Sequence, residues 1–180
     1  NIVHFRPKSF SRTRKMFTCG DEAVNVIDKY VYLGLHFNEF LDFNLMAKFV
    51  AQAAGRAFGL LVVKYKAAGG MPFNVFTKLY NSTVLAVINY GSAIWGTKTF
   101  SCIEAIHNRA MRFYLGTGKY TPNAALIGDM GWEPIMVKQY ASVANHWARC
   151  INMDDTRTNK RVFLYAVRKS RSSCAMLTAC

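Results

Sequence analysis

Lys48, Gln52 and Arg56 recur at four-residue intervals, Lys64 and Lys66 follow, and no aspartate or glutamate occurs from Phe43 through Ile103. Cations set out without a countercharge neutralise phosphates. They give affinity for a polyanion without a choice of sequence, and that affinity falls steeply with salt. Lys78 and Lys98 belong to the same acid-free stretch. A solvated helix face has a similar composition, so the charge pattern alone leaves both readings open. At Tyr32-Leu33-Gly34 the glycine would let a ligand backbone approach closely, or would end a strand whose Tyr32 and Leu33 pack inside. The basic stretch with Lys8, Arg12, Arg14 and Lys15 is either a phosphate-contacting or a solvated loop.

Residues for acid–base and metal chemistry are sparse. Met153-Asp154-Asp155 sets two carboxylates side by side, but a two-metal site needs a third carboxylate nearby, and an Asp-Asp-Thr run before basic residues reads as a helix start. His146 and Cys150 stand four apart, and Cys102 precedes His107 by five, yet neither pair is extended to four zinc ligands. There is no phosphate-binding Gly-rich loop, no Gly-x-Ser-x-Gly elbow and no dinucleotide fingerprint. No catalytic residue and no metal ligand is therefore expected within this chain.

The elements that position these groups are strands first and helices afterwards. Ile2 to Phe5, Met16 to Cys19, Ala23 to Ile27 and Tyr30 to Phe37 are rich in β-branched and aromatic residues, and Gly20-Asp21-Glu22 marks a hairpin turn. From Asp42 the period becomes helical. Met46, Phe49, Val50, Ala53, Ala57, Leu60 and Leu61 gather on one side, with Lys48, Gln52, Arg56 and Lys66 opposite and Gly55 and Gly59 between. Those glycines cost about 1 kcal/mol each in helix propensity and either allow close approach or are tolerated. Ala67-Ala68-Gly69-Gly70 ends this helix, and Pro72 suits the first position of the next. Phe73, Phe76, Leu79, Tyr80, Val84, Val87, Ile88 and Tyr90 form a stripe expected in the core.

Ser101 to Glu104 has a capping-box pattern opening a helix that stops at Gly116 or Gly118, and a short helix runs from Pro122 to Gly131. Another starts near Pro134 and carries Ile135, Val137, Tyr140, Val143, Ala144 and Trp147. Thr156 to Arg171 is a further helical stretch, basic through Arg157, Lys160, Arg161, Arg168, Lys169 and Arg171. The fold class is α+β: a short antiparallel β unit followed by a mostly α-helical remainder. Val84 to Trp95, the most apolar run, is short of the roughly 20 residues that span a bilayer, and no membrane partner is expected.

Read in order, these landmarks resemble the region after the active site in reverse transcriptases of non-LTR (LINE-type) retrotransposons. Asn1 to Phe5 resembles the strand after the catalytic aspartate turn, and Tyr32-Leu33-Gly34 resembles the primer grip at the end of the palm. Leu79-Tyr80-Asn81-Ser82, Asn89-Tyr90-Gly91 and Trp95 resemble the thumb segment. Asn108 to Arg112, Leu115-Gly116, Thr121 to Leu126 and Gly131-Trp132-Glu133-Pro134 resemble the stretches that follow, so the likeness covers residues 1 to about 137.

The resemblance implies three regions: a palm remnant over residues 1–40, a helical thumb over 41–97 and a C-terminal helical region over 98–180. It implies RNA and DNA as partners, as primer and RNA–DNA hybrid, together with an upstream fingers and palm half. Tyr32, Leu33, Gly34, Lys48, Gln52, Arg56, Lys64 and Lys66 would make the contacts. The family's catalytic aspartates lie upstream of the counterpart of Asn1, so Mg²⁺ belongs to the complete polymerase and none is expected on this chain. The start inside a strand without Met reads as an excerpt. A decayed or repurposed nucleic-acid-binding protein and a helical protein-interaction module are the rival expectations.

Composition agrees with a polyanion binder. The 180 residues carry 23 Lys and Arg against 10 Asp and Glu, a net charge of +13, and 52% hydrophobic residues supply a core and exclude a disordered chain. Five scattered cysteines, Cys19, Cys102, Cys150, Cys174 and Cys180, fit mostly buried thiols in a reduced intracellular chain. No apolar run follows the basic N-terminal residues, so no secretory signal is expected there. The family's way of life implies nuclear entry.

Overall fold

Short β-branched and aromatic runs separated by turn residues make three two-stranded ladders in the first forty residues. A computed structural model of the protein describes residues 1–165 and 167. β1 (Ile2–Val3) pairs with β4 (Val26–Ile27), β2 (Phe17–Cys19) with β3 (Glu22–Val24), and β5 (Lys29–Tyr32) with β6 (Leu35–Asn38). The expected Gly-Asp hairpin forms, with Cys19 opposite Glu22 and Gly20 at φ 62°. Two details differ from expectation. β1 and β4 run parallel, and Tyr30 to Phe37 is a hairpin folded at Leu33 and Gly34.

Glu39 ties this apron together. Its backbone N–H donates to the Asp28 carbonyl, its carbonyl accepts from the Arg6 N–H, and its carboxylate pairs with Arg6 at 3.1 Å and Arg12 at 2.9 Å. Burial raises the Glu39 carboxyl, but the hydrogen bonds and charges of Arg12 and Arg6 outweigh this and leave it below the ordinary carboxylate value. Arg12 is thus committed within the protein.

α1 (Asn44–Ala67) starts where the Asp42 carboxylate accepts from the Asn44 N–H, and it stops before Gly69 and Gly70, both at positive φ. It buries Met46, Ala47, Val50, Ala51, Ala54, Phe58 and Leu61. The expected apolar side is therefore rotated. Phe49 and Leu60 are exposed, Leu60 by 70%, while Ala47, Ala51 and Ala54 are buried in their place. Gly55 faces Ile106: a Cβ there would lie 3.6 Å from Ile106 Cδ1, whereas Gly59 meets nothing within 4 Å. Among the described residues α1, and not the run Val84 to Trp95, is long and apolar enough to cross a membrane by length and composition. A third of that window, 33%, is buried inside the fold.

α2 (Phe73–Tyr80) passes through a π turn (Asn81–Leu85) into α3 (Ala86–Asn89), then a break at Tyr90-Gly91 and α4 (Ser92–Trp95). The Ser82 and Thr83 hydroxyls both donate to the Leu79 carbonyl, the side-chain competition that bends helices. Of the expected core stripe, Phe76, Tyr80, Val84 and Ile88 are buried, while Phe73 and Tyr90 are exposed because each sits at the end of a helical piece. Pro72 holds the N-cap position of α2, one residue before the place expected for it.

α5 (Ser101–Leu115), α6 (Asn123–Met130) and α7 (Ile135–Ile151) complete the body, and residues 158–165 are helical. The capping box does not form: Phe100 is the N-cap of α5 and no side chain caps it. Gly116 ends α5 at φ 65° and Gly131 ends α6 at φ 60°. α5 packs on α1, and one core runs from Leu35 to Ile135. On α7, Ile135 is buried, but Val137, Tyr140 and Trp147 are exposed, since Gln139 and Cys150 take the inner side. Cys19 is exposed, Cys102 partly buried and Cys150 buried, so burial of most thiols does not hold among the described ones. Cys174, Cys180, Arg168, Lys169 and Arg171 lie outside the described residues.

Candidate nucleic-acid interface

Tyr32 and Leu35 face each other across a two-residue turn whose central residues, Leu33 and Gly34, lie at φ 48° and 76°. Positive φ at both positions is the type I′ geometry that matches hairpin twist. Glycine adopts it freely, but a leucine held there carries about 1–3 kcal/mol of strain. That strain is held from the helical side. The Tyr90 hydroxyl donates to the Leu33 carbonyl at 2.7 Å, and its ring lies 3.7 Å from where a Gly34 Cβ would stand. Trp95, fully buried, donates its indole N–H to the Tyr90 carbonyl at 2.9 Å. Gly91, at φ 63°, leaves no room for a side chain, since a Cβ would fall 2.6 Å from Leu35 Cδ2. A line of contacts thus joins the core to the hairpin tip.

Tyr32 is 58% exposed and Leu33 71%, so a strand end with both side chains in the core is excluded. Behind the tip, the His36 ring stacks on Phe49 of α1 with centroids 4.0 Å apart. Gly34, Phe49, Arg56 and Tyr90 face a cavity of about 570 Å³ between the hairpin, α1 and residues 82–90. Farther along α1, Leu60, Lys64 and Leu79 line a second cavity of about 210 Å³. Thr83 borders both.

The structure therefore places Gly34 and Arg56 at the first cavity and Lys64 at the second, with Tyr32 and Leu33 exposed at the hairpin tip beside Gly34. Lys48, Gln52 and Lys66 are exposed on α1 but line neither cavity. At 3.6 residues per turn Lys64 stands roughly 160° round the axis from Lys48, so the cations cover the solvent half of α1 and form no single line. Among the described residues no carboxylate pairs with Lys48, Arg56, Lys64, Lys66 or Lys78. Lys98 corrects the expected absence of countercharge: it meets Asp42 at 3.6 Å. The Asn44 backbone N–H chiefly, with Lys98 after it, holds the Asp42 carboxyl below its ordinary value against the effect of burial. Tyr90 is the hairpin contact that periodicity does not reveal, because its spacing counts it as core. The Tyr-Gly pair interrupting a helical run was the available signal.

No protein-family model, curated protein or solved structure matches this chain.

Groups for acid–base or metal chemistry stay apart. Among the described residues no three His, Cys, Asp or Glu side chains come together. His146 Nε2 and Cys150 Sγ meet at 3.7 Å. The Asp154 carboxylate accepts from the backbone N–H and hydroxyl of Thr156 in an exposed turn, and these bonds lower its protonation range. His107 is a structural group. Its Nε2–H donates to the Glu133 carbonyl at 3.2 Å, so bare Nδ1 accepts from the Tyr80 hydroxyl at 2.8 Å, with Trp132 stacked 4.4 Å from the Tyr80 ring. Burial lowers its pKa to about 4, opposed by the Glu133 bond and aided by the charge of Lys138, and burial also raises the Tyr80 phenol.

Proposed function

We propose that this chain holds the primer end and the RNA–DNA hybrid in an RNA-directed DNA polymerase of the non-LTR retrotransposon type, with the metal-binding carboxylates supplied from outside it. The observation that carries the reading is the Tyr90–Leu33 hydrogen bond. It joins two stretches that resemble the family, 57 residues apart, at the mouth of a cleft that also receives Arg56.

Gly34 leaves room for a ligand backbone beside the turn, and Arg56 and Lys64 neutralise phosphates at the two cavities. In such an enzyme two divalent metal ions activate the primer hydroxyl and clamp the leaving group. In this reading their ligands come from outside the chain, and its own part is to bind and orient. In titrations with an RNA–DNA hybrid, affinity is expected to fall steeply as salt rises. Salt-independent binding, or primer extension by this chain alone with Mg²⁺, would refute the proposal.

The exposed Val137, Tyr140 and Trp147 on α7 favour a second reading, a helical protein-interaction module. It predicts a main complex that salt hardly weakens.

A further inference from the structure

A cavity of about 500 Å³ lies between α7 and the segment that carries Asn89 and Ala93. α7 contributes Lys138, Ser142, Asn145, His146 and Arg149 to it, and no lining residue is acidic. These positions fall on one face of the helix. Lys138 and Arg149 are eleven residues apart, hence nearly in line and roughly 16 Å apart along the axis.

Arg149 in the last turn complements the helix dipole, but Lys138 near the first turn opposes it, and no acid stands there to compensate. Among the described residues neither cation has a carboxylate partner. A groove with a cation at each end and the Ser142 hydroxyl and Asn145 amide between them fits a chain of phosphates better than a single anion. Ala86, Val87 and Tyr90 border the first cleft while Asn89 and Ala93 border this groove, so one short segment forms the wall between the two.

We propose that this groove binds the phosphate backbone of a nucleic-acid single strand, the one that leaves the first cleft over the Tyr90-Gly91 turn. The course of the strand rests on the proposed function. The groove's affinity for a single strand does not.

The test compares the whole chain with two double variants, Lys138→Gln/Arg149→Gln and Arg56→Gln/Lys64→Gln, titrated with a homopolymeric DNA strand and with an RNA–DNA hybrid across a salt series. Far-UV circular dichroism checks that each variant folds. The first variant is expected to weaken single-strand binding at low salt by about tenfold or more, and to reduce the logarithmic salt slope by roughly 1.4, the value for two lost phosphate contacts. Unchanged single-strand affinity and slope in that variant overturn the inference, whatever the hybrid does. Loss of that binding to competing inorganic phosphate at low millimolar concentration also overturns it, because a single-anion pocket is then at work. Single-strand binding that depends on Lys138 and Arg149 while the hybrid fails to bind upholds the groove and refutes the hybrid-holding function.

Discussion

The β5–β6 hairpin and the Tyr80–His107–Trp132 cluster are both built from aromatic-rich sequence, yet they spend it in opposite ways. The hairpin exposes Tyr30, Val31, Tyr32 and Leu33, and the cluster buries Phe76 and Tyr80 completely. The helical body holds itself by apolar packing. The hairpin roots Leu35 in that core and adds directed polar links, from Tyr90 to Leu33 and, across the apron, from Arg6 and Arg12 to Glu39. A core keeps its aromatic residues by hiding them, whereas a hairpin anchored through its backbone leaves its side chains free to meet a ligand.

The largest contrast should come from truncation. Phe76→Ala removes a fully buried ring and is expected to cost about 3–5 kcal/mol in urea unfolding, whereas Tyr32→Ala should change stability by no more than about 0.5 kcal/mol. Equal losses would break the comparison.

Acid sharpens it next. The His107 pKa, ordinarily 6.5, lies at about 4 in the fold, so between these values the unfolded chain takes up a proton that the folded chain refuses. Its contribution is complete above pH 6.5 and is lost as pH falls toward 4, by roughly 3 kcal/mol in all. His107→Gln should flatten that part of the stability profile. A profile still steep between these values would place the titrating group elsewhere.

Much of the body was legible in the sequence. Gly116 and Gly131 ended helices where a left-handed residue was needed, and the long helix after Asp42 appeared where its period began. The buried side of α1 is not legible from a helical wheel, which weighs large apolar residues, whereas this helix buries Ala47, Ala51 and Ala54. In the sequence the hairpin reads as one strand because Leu33 is a poor candidate for positive φ. The distant Tyr90 braces it there, a contact that no local pattern records.

Smaller effects belong to that anchor. Tyr90→Phe deletes one hydrogen bond, worth about 1 kcal/mol, and should speed amide exchange in residues 29–38 while leaving the global unfolding midpoint nearly unchanged. Leu33→Gly relieves the strained φ and should stabilise the hairpin by at most about 1 kcal/mol, seen as slower exchange in the same amides. Faster exchange would show that the leucine side chain holds the turn.

The most direct measurement is photo-crosslinking of this chain to an RNA–DNA hybrid whose primer carries a photoreactive 3′-terminal nucleotide, followed by peptide mapping. The label is expected on the stretch from Tyr30 to Phe37, and it should weaken in Tyr90→Phe. A label confined to α7 or residues 158–165, with the hairpin unmarked, would contradict the hairpin as the place where the primer end is held.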